Sequence, residues 1–223
     1  VNVLRDDWGT PHVYGETDEA TLFGMGYVQA EDNFWQFEEN VIRAVGRYAE
    51  VWGPRGLKND LLNHRFEVVP RSQADVEQIP HQARVLLTAF ADGVNHYLNT
   101  HPNVSPRLIA HFEPWHILCV DRHFLLDFTY GRVHVRRPDA EPLSVQRVHQ
   151  KQAQWLSESV IDSWDWPDLP ESTLARTAQA AIGSNQWAIA PGRTRSGSAM
   201  LLINPHQPWY GWGQYYEAHL HSN

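Results

Sequence analysis

Apolar residues in the first part of the chain recur at helical spacing. The clearest stripe has members three or four residues apart, at Phe34, Phe37, Val41, Val45, Tyr48 and Trp52. Charged residues fill the positions between them, and acidic ones crowd the start, where a helix dipole favours negative charge. Gly53 and Pro54 end the pattern. The stripe predicts one amphipathic helix with a buried face that continues to Trp52.

Other segments of the same part also have helical spacing. A shorter helix precedes the stripe, with Asp18 as its expected N-cap, and Gly24 and Gly26 within it indicate close packing against another backbone. Apolar spacing predicts further helices over residues 82–98, 117–130 and 143–163. Adjacent acidic pairs, Glu31–Asp32 and Glu38–Glu39, point in different directions on a helix, so we expect a solvated or salt-bridged face there, not an acid–base pair.

Short strands are predicted near both ends of the chain. Residues 1–6 and 12–14 form one pair, and residues 186–190, 199–203 and 215–220 form a later group. Between the helices and the later strands, two prolines and several acidic residues break helical structure, and small polar residues follow. The organisation predicted is a mostly helical region over 1–165, a linker or spacer over 166–183, and the start of a sheet over 184–223.

Composition excludes several classes of protein. The net charge is −8, so no basic surface for nucleic acid is expected. No apolar run approaches the roughly 20 residues that span a bilayer, so no membrane partner is expected. The single cysteine, Cys119, excludes an internal disulfide, and its apolar surroundings favour a buried, inert thiol.

The chain has 13 histidines, and none falls in a tight metal-ligand pattern such as His-Glu-x-x-His. His219 and His221 alternate along a predicted strand and would share one face. Two interpretations remain open there: a metal site, or ordinary surface histidines.

Gly183 and Ser184 carry the chemistry that is most informative about function. They stand where linker-like sequence changes to strand-like sequence. Gly183 lacks a Cβ, which leaves its carbonyl open to attack by the Ser184 hydroxyl. Cleavage there would give Ser184 both a nucleophilic hydroxyl and an α-amine whose pKa of roughly 7.7–8.0 suits a general base. A lone Gly-Ser-Asn tripeptide also fits an ordinary turn, so the surrounding residues must decide.

Those surroundings resemble the penicillin acylase family of N-terminal nucleophile hydrolases. Residues 184–191 read Ser-Asn-Gln-Trp-Ala-Ile-Ala-Pro, and Asn204-Pro205-His206 follows, as at the precursor junction of that family. Residues 5–14, 23–32 and 46–50 resemble motifs of its α-subunit. The segments occur in the family's order and together span most of the chain.

The resemblance implies an α+β, four-layer αββα fold, truncated here, and hydrolysis of an amide between an acyl group and an amine. It implies that the precursor cleaves itself before Ser184, which becomes the nucleophile, and that His206 positions it. Asn185 is a candidate for holding the backbone of the nucleophile, or else has an ordinary turn role. The acyl pocket is expected to include Trp187, Gln207 and Phe128, with Phe124 and Tyr130 as further walls; Gln207 departs from the apolar residue of many members.

The same resemblance sets expectations for partners. These are a small N-acyl substrate, such as an acyl-homoserine lactone or a penicillin, and the rest of the chain's own β-subunit, in a periplasmic or secreted protein. No cofactor is required, and a structural calcium ion is implied without placeable ligands. The family's oxyanion donors would lie beyond Asn223, so this length of chain alone is expected to be nearly inactive. The alternative is a binding protein on the same scaffold that is neither processed nor catalytic.

Overall fold

The computed structural model describes residues 1–130, 183–206 and 215–223. The chain divides into two compact units, residues 1–136 with 216–223, and residues 137–215. The predicted helix over 143–163 and the linker up to residue 182 lie outside the described residues. No helix within the described ranges is long and apolar enough to cross a membrane.

The first unit contains six α-helices among its described residues and a small sheet. The helices are α1 (Asp18–Ala44), α2 (Tyr48–Trp52), α3 (Leu57–Arg65), α4 (Val68–Gln78), α5 (His81–Thr100) and α6 (Pro114–Tyr130). Its strands are β1 (Asn2–Arg5), β2 (Pro11–Gly15) and β5 (His219–Ser222). The second unit contributes β3 (Gly183–Ile189) and β4 (Met200–His206). The residue ranges of α5 and α6 agree with the helices predicted over 82–98 and 117–130 to within three residues at each end.

Helix α1 differs from the prediction at both ends. Thr17, not Asp18, is the N-cap: it is extended, and its Oγ1 accepts a hydrogen bond from the Ala20 N–H at 3.2 Å. The helix runs through both predicted helices with a bend at Asn33. It ends at Ala44 because Gly46 takes a φ of +70°, a left-handed conformation that an apolar stripe does not reveal. Trp52 therefore belongs to a separate helix, and the prediction of one continuous helix was wrong.

Helices α1 and α5 pack with their backbones nearly in contact. A Cβ added at Gly26 would lie 2.1 Å from the Phe90 carbonyl oxygen, and one at Gly93 would lie 2.0 Å from that of Phe23. The prediction of close packing against another backbone is confirmed for Gly26, whereas a Cβ at Gly24 would meet the side chains of Val13 and Val1. Around this contact lies the core, whose fully buried members include Val28, Val41, Ile42, Val94, Phe112 and Cys119. Burial raises the pKa of the Cys119 thiol to about 11, in agreement with an inert thiol.

The acidic pairs of α1 agree with the predicted solvated or salt-bridged face except at Glu38, which is buried. Glu31 and Asp32 are exposed and bind Arg5. Glu38 is fully buried, and its carboxylate accepts three backbone hydrogen bonds, from Arg107 at 3.0 Å, Leu108 at 2.8 Å and Ile109 at 3.0 Å. A buried carboxylate must be compensated in this way. Glu38 thus fixes the loop between α5 and α6 onto α1.

The first turn of α6 holds a buried histidine that resists protonation. His116 accepts a hydrogen bond at Nδ1 from the Glu113 N–H at 2.8 Å and stacks on Trp115. Burial lowers the pKa of His116 to about 4. The imidazole is therefore neutral in the folded protein at pH 7.

We expect this histidine to make the protein less stable in acid. As pH falls below about 6.5 the unfolded chain takes up a proton at His116, whereas the folded chain does so only near pH 4. Stability contributed by the neutral ring is present above pH 6.5 and lost towards pH 4, by about 1–2 kcal/mol at pH 5. Urea denaturation at pH 7 and pH 5 measures it. His116→Gln should reduce the pH dependence, whereas His81→Gln, at an exposed position, should leave it intact; equal pH dependence in all three proteins would contradict the assignment.

The strands of the first unit form a three-stranded sheet in the order β1-β2-β5. β1 pairs with β2 in antiparallel fashion, and β2 pairs with β5 in parallel, with His12 opposite His219 and Tyr14 opposite His221. β5 covers His219–Ser222, not the predicted 215–220. Although β5 follows the linker in sequence, it belongs to the same compact unit as the helices.

Candidate active site

An antiparallel hairpin of β3 and β4 brings the sequence motifs of the site together. β3 begins at Gly183, and β4 ends at His206. The register pairs Gly183 with His206, Ser184 with Pro205, and Asn185 with Asn204. A turn that includes the 3₁₀ segment Pro191–Arg193 joins the strands, and Gly197 within it has a φ of +70°. The sequence predicted both strands, over 186–190 and 199–203. In the structure β3 begins earlier, at Gly183, and β4 continues further, to His206.

His206 is held by two asparagine side chains. Its Nε2 accepts hydrogen bonds from Asn204 Nδ2 at 3.1 Å and from Asn185 Nδ2 at 3.3 Å. With two amide donors at Nε2, the neutral imidazole carries its proton on Nδ1. Asn185 neighbours Ser184 in the chain, so His206 is connected to the segment of the proposed nucleophile through one side chain. The Asn204 contact, between residues two apart on β4, was not foreseen, and the Asn185 contact depends on the register of the hairpin.

Ser184 lies on the other face of the hairpin. Side chains alternate along a strand, so Gly183, Asn185 and His206 share one face, and Ser184 shares the opposite face with Pro205. The Ser184 side chain is exposed. In this uncleaved chain, His206 therefore faces the Gly183 and Asn185 positions, not the serine hydroxyl. A direct contact between the two would require rotation of the Ser184 backbone.

The predicted acyl-pocket residues are only partly described. Trp187 is 57% exposed and lies on the same hairpin face as Asn185 and His206. Phe124 on α6 is 42% exposed. Phe128 and Tyr130 are in α6, but their side chains, like the whole of Gln207, lie outside the described structure. Among residues 1–130, 183–206 and 215–223, no group of three or more His, Cys, Asp and Glu side chains is arranged to hold a metal ion.

Comparison with known proteins identifies the family. Residues 1–223, the whole chain, match the family described as penicillin amidase. The chain belongs to the penicillin amidase family. Its relatives include the penicillin acylase 2 proenzyme of a Pseudomonas species, 27% identical over 99% of this chain and 32% of the relative. An acyl-homoserine lactone acylase of Pseudomonas fluorescens is 24% identical over 98% of this chain and 28% of its own length.

Two further comparisons bear on this member of the penicillin amidase family. Aculeacin-A acylase of Actinoplanes utahensis is 26% identical over 98% of the chain and 29% of its own length. A thermostable penicillin G acylase from Alcaligenes faecalis has a similar structure, with a TM-score of 0.51 at 19% identity, over 71% of this chain and 83% of that one. The fold therefore follows that of a penicillin acylase, with mixed helices and strands. The chain spans about a third of the length of these curated relatives.

Proposed function

We propose that this chain is part of an acylase that is made as a self-cleaving precursor and hydrolyses N-acyl amides. The observation that carries the proposal is the position of the Gly183–Ser184 bond at the start of β3, with His206 opposite Gly183 and bonded to Asn185. Family membership supports amide hydrolysis, and the word "proenzyme" in one relative's name supports a precursor.

The first reaction is scission of the chain. Ser184 Oγ attacks the Gly183 carbonyl carbon; its proton passes to the Ser184 nitrogen as the C–N bond breaks, and an ester remains. Water then hydrolyses the ester, which leaves a carboxylate on Gly183 and a free α-amine and hydroxyl on Ser184. The missing Cβ of Gly183 lowers steric resistance to the attack.

The second reaction repeats this chemistry on a substrate. The Ser184 hydroxyl attacks the carbonyl of an N-acyl group, and the α-amine, with a pKa of roughly 7.7–8.0, accepts the proton directly or through a water. The leaving amine takes up a proton, and water hydrolyses the acyl ester to regenerate the serine. The N-terminus is the group that only scission can provide, so processing and catalysis are coupled.

His206 is proposed as the residue that positions Ser184 through Asn185. We expect His206→Ala to lower kcat and the scission rate about 10-fold or more, because both asparagine amides lose their acceptor. His206→Gln should retain more of both rates, since its amide oxygen can accept the same hydrogen bonds. Single-turnover acyl transfer and the rate of precursor loss in the complete protein measure the two effects. Equal, near-wild-type rates in both variants would remove His206 from the site.

The substrate class follows from the relatives. Their names include acylases of penicillin, of acyl-homoserine lactones and of aculeacin A, and all three substrates contain an N-acyl amide. We propose an acyl-homoserine lactone as the preferred substrate, with Trp187 near the acyl chain. The complete, processed protein should be assayed against lactones of increasing chain length beside benzylpenicillin and phenoxymethylpenicillin. Turnover of the penicillins with none of the lactones would exclude this preference.

The remainder of the β-subunit is the proposed partner of the hairpin. Apolar residues of β4 are exposed on both faces, with Met200 57%, Leu201 65%, Leu202 52% and Ile203 64% accessible. Such a surface requires cover in a stable protein. Since the curated relatives are about three times as long, later strands of the same protein are the proposed cover, completing a four-layer αββα arrangement in a periplasmic or secreted enzyme.

A further inference from the structure

A second group of chemically reactive side chains lies in the sheet of the first unit, where two histidines face each other. His12 on β2 and His219 on β5 are opposite in the parallel register, and their Nδ1 atoms are 3.0 Å apart. In the metal-free pair one nitrogen must donate and the other accept. His12 is partly exposed and His219 is exposed, so solvent and ions can reach both rings.

A carboxylate fixes the orientation of the first histidine. Asp6 Oδ2 lies 3.5 Å from His12 Nε2, and Asp6 Oδ1 accepts hydrogen bonds from the Trp8 and Thr10 N–H groups, each at 2.9 Å. The backbone turn thereby holds the carboxylate in place. A carboxylate that accepts the proton of one ring nitrogen leaves the other nitrogen available as a ligand, and this arrangement recurs behind metal-bound histidines.

We propose that His12 and His219 form a two-histidine binding site for Cu²⁺. Metal–imidazole bonds of about 2.0–2.1 Å to two nitrogens 3.0 Å apart subtend about 95° at the metal. That angle suits the tetragonal geometry of Cu²⁺ better than a tetrahedral site. The described residues supply no third protein ligand, so water completes the coordination. Tyr14 borders the pair, with its ring centroid 6.0 Å from that of His219 and 5.6 Å from that of His221.

Such an ion would hold β5 to β2 in the three-stranded sheet. β5 is held on β2 by strand pairing and by the Thr21 hydroxyl, which donates to the His221 carbonyl oxygen at 3.2 Å. A metal bond between His12 and His219 adds a link between segments that are distant in sequence. Because His12 precedes and His219 follows the Gly183–Ser184 bond, the ion would also join the two chains that scission produces; the site itself does not depend on scission.

Titration of the complete protein with aqueous Cu²⁺ tests the proposal. We expect one equivalent to bind more tightly than the rest, with an electron paramagnetic resonance spectrum showing an axial site and coupling to two imidazole nitrogens. His12→Asn and His219→Asn should each weaken this binding at least 10-fold. Asp6→Asn, whose amide oxygen can still accept from the Trp8 and Thr10 N–H groups, should weaken it by about 10-fold. Cu²⁺ should also raise the Tm of the wild-type protein by about 2 °C or more, since the ligands come from separate strands.

The matched control is His221→Asn, on the same strand and the same face but two residues from the pair. It should bind the first Cu²⁺ as the wild type does. Binding that survives loss of both His12 and His219, or that falls equally in the His221 variant, would show adsorption to other histidines and overturn the proposal. Absence of any tight equivalent in the wild type would do the same.

Discussion

Ser184→Ala in the complete protein is expected to give a single unprocessed chain with no measurable acylase activity. In the proposed mechanism one hydroxyl serves both reactions, and an alanine cannot attack either the Gly183 carbonyl or a substrate. Loss of a catalytic serine commonly costs about 10⁶-fold in kcat, and here the α-amine base is lost with it because scission does not occur. Denaturing electrophoresis and a chromatographic assay of amide hydrolysis measure the two losses.

The matched control for this variant is Ser198→Ala, since Ser198 is an exposed serine in the turn that joins β3 and β4. It should be processed and active. Ser184→Cys should retain some processing, because a thiol is intrinsically nucleophilic. If the Ser184→Ala chain still split at the same bond, the assignment of Ser184 as the processing nucleophile would be wrong.

The second large effect concerns stability. Glu38→Ala should lower the free energy of unfolding by about 3–5 kcal/mol, because it leaves the Arg107, Leu108 and Ile109 N–H groups without their acceptor and opens a cavity beneath the loop. Glu38→Gln should cost less, since its amide oxygen still accepts hydrogen bonds. Urea denaturation at pH 7 measures both.

Glu77→Ala is the control for this effect. The Glu77 side chain is 77% exposed and pairs with Arg84 at 3.3 Å, and exposed ion pairs contribute about 0–1 kcal/mol. If Glu38→Ala were no more destabilising than Glu77→Ala, the buried carboxylate would not be what holds the loop on α1.

Local patterns predicted α1, α5 and α6 but not the end of α1, and they gave no indication of α3 or α4. The apolar stripe located α1 because Phe34, Phe37 and Val41 are buried on one face. It could not show that Gly46 takes a left-handed φ, so it carried the helix through to Trp52. It also gave no sign that Glu38 is buried, because the donors that compensate it lie in a loop about 70 residues later.

In the candidate site, too, features of adjacent residues could be predicted from the sequence, whereas contacts between distant residues could not. Gly183 and Ser184 are adjacent, so the proposal that the chain is cleaved between them needs no structure. The contact of His206 with Asn185 depends on a register that pairs residues on two strands. The His12–His219 pair is further from sequence reasoning, since the two residues are 207 positions apart and meet only through the parallel pairing of β2 with β5.

The central claim is scission before Ser184, and intact mass measurement with N-terminal sequencing of the purified complete protein tests it most directly. We expect two chains, the second of which begins with Ser184, Asn185 and Gln186. If an intervening segment is also removed, the second chain keeps the same first residue. A single permanent chain, or a second chain that begins at any residue other than Ser184, would contradict it.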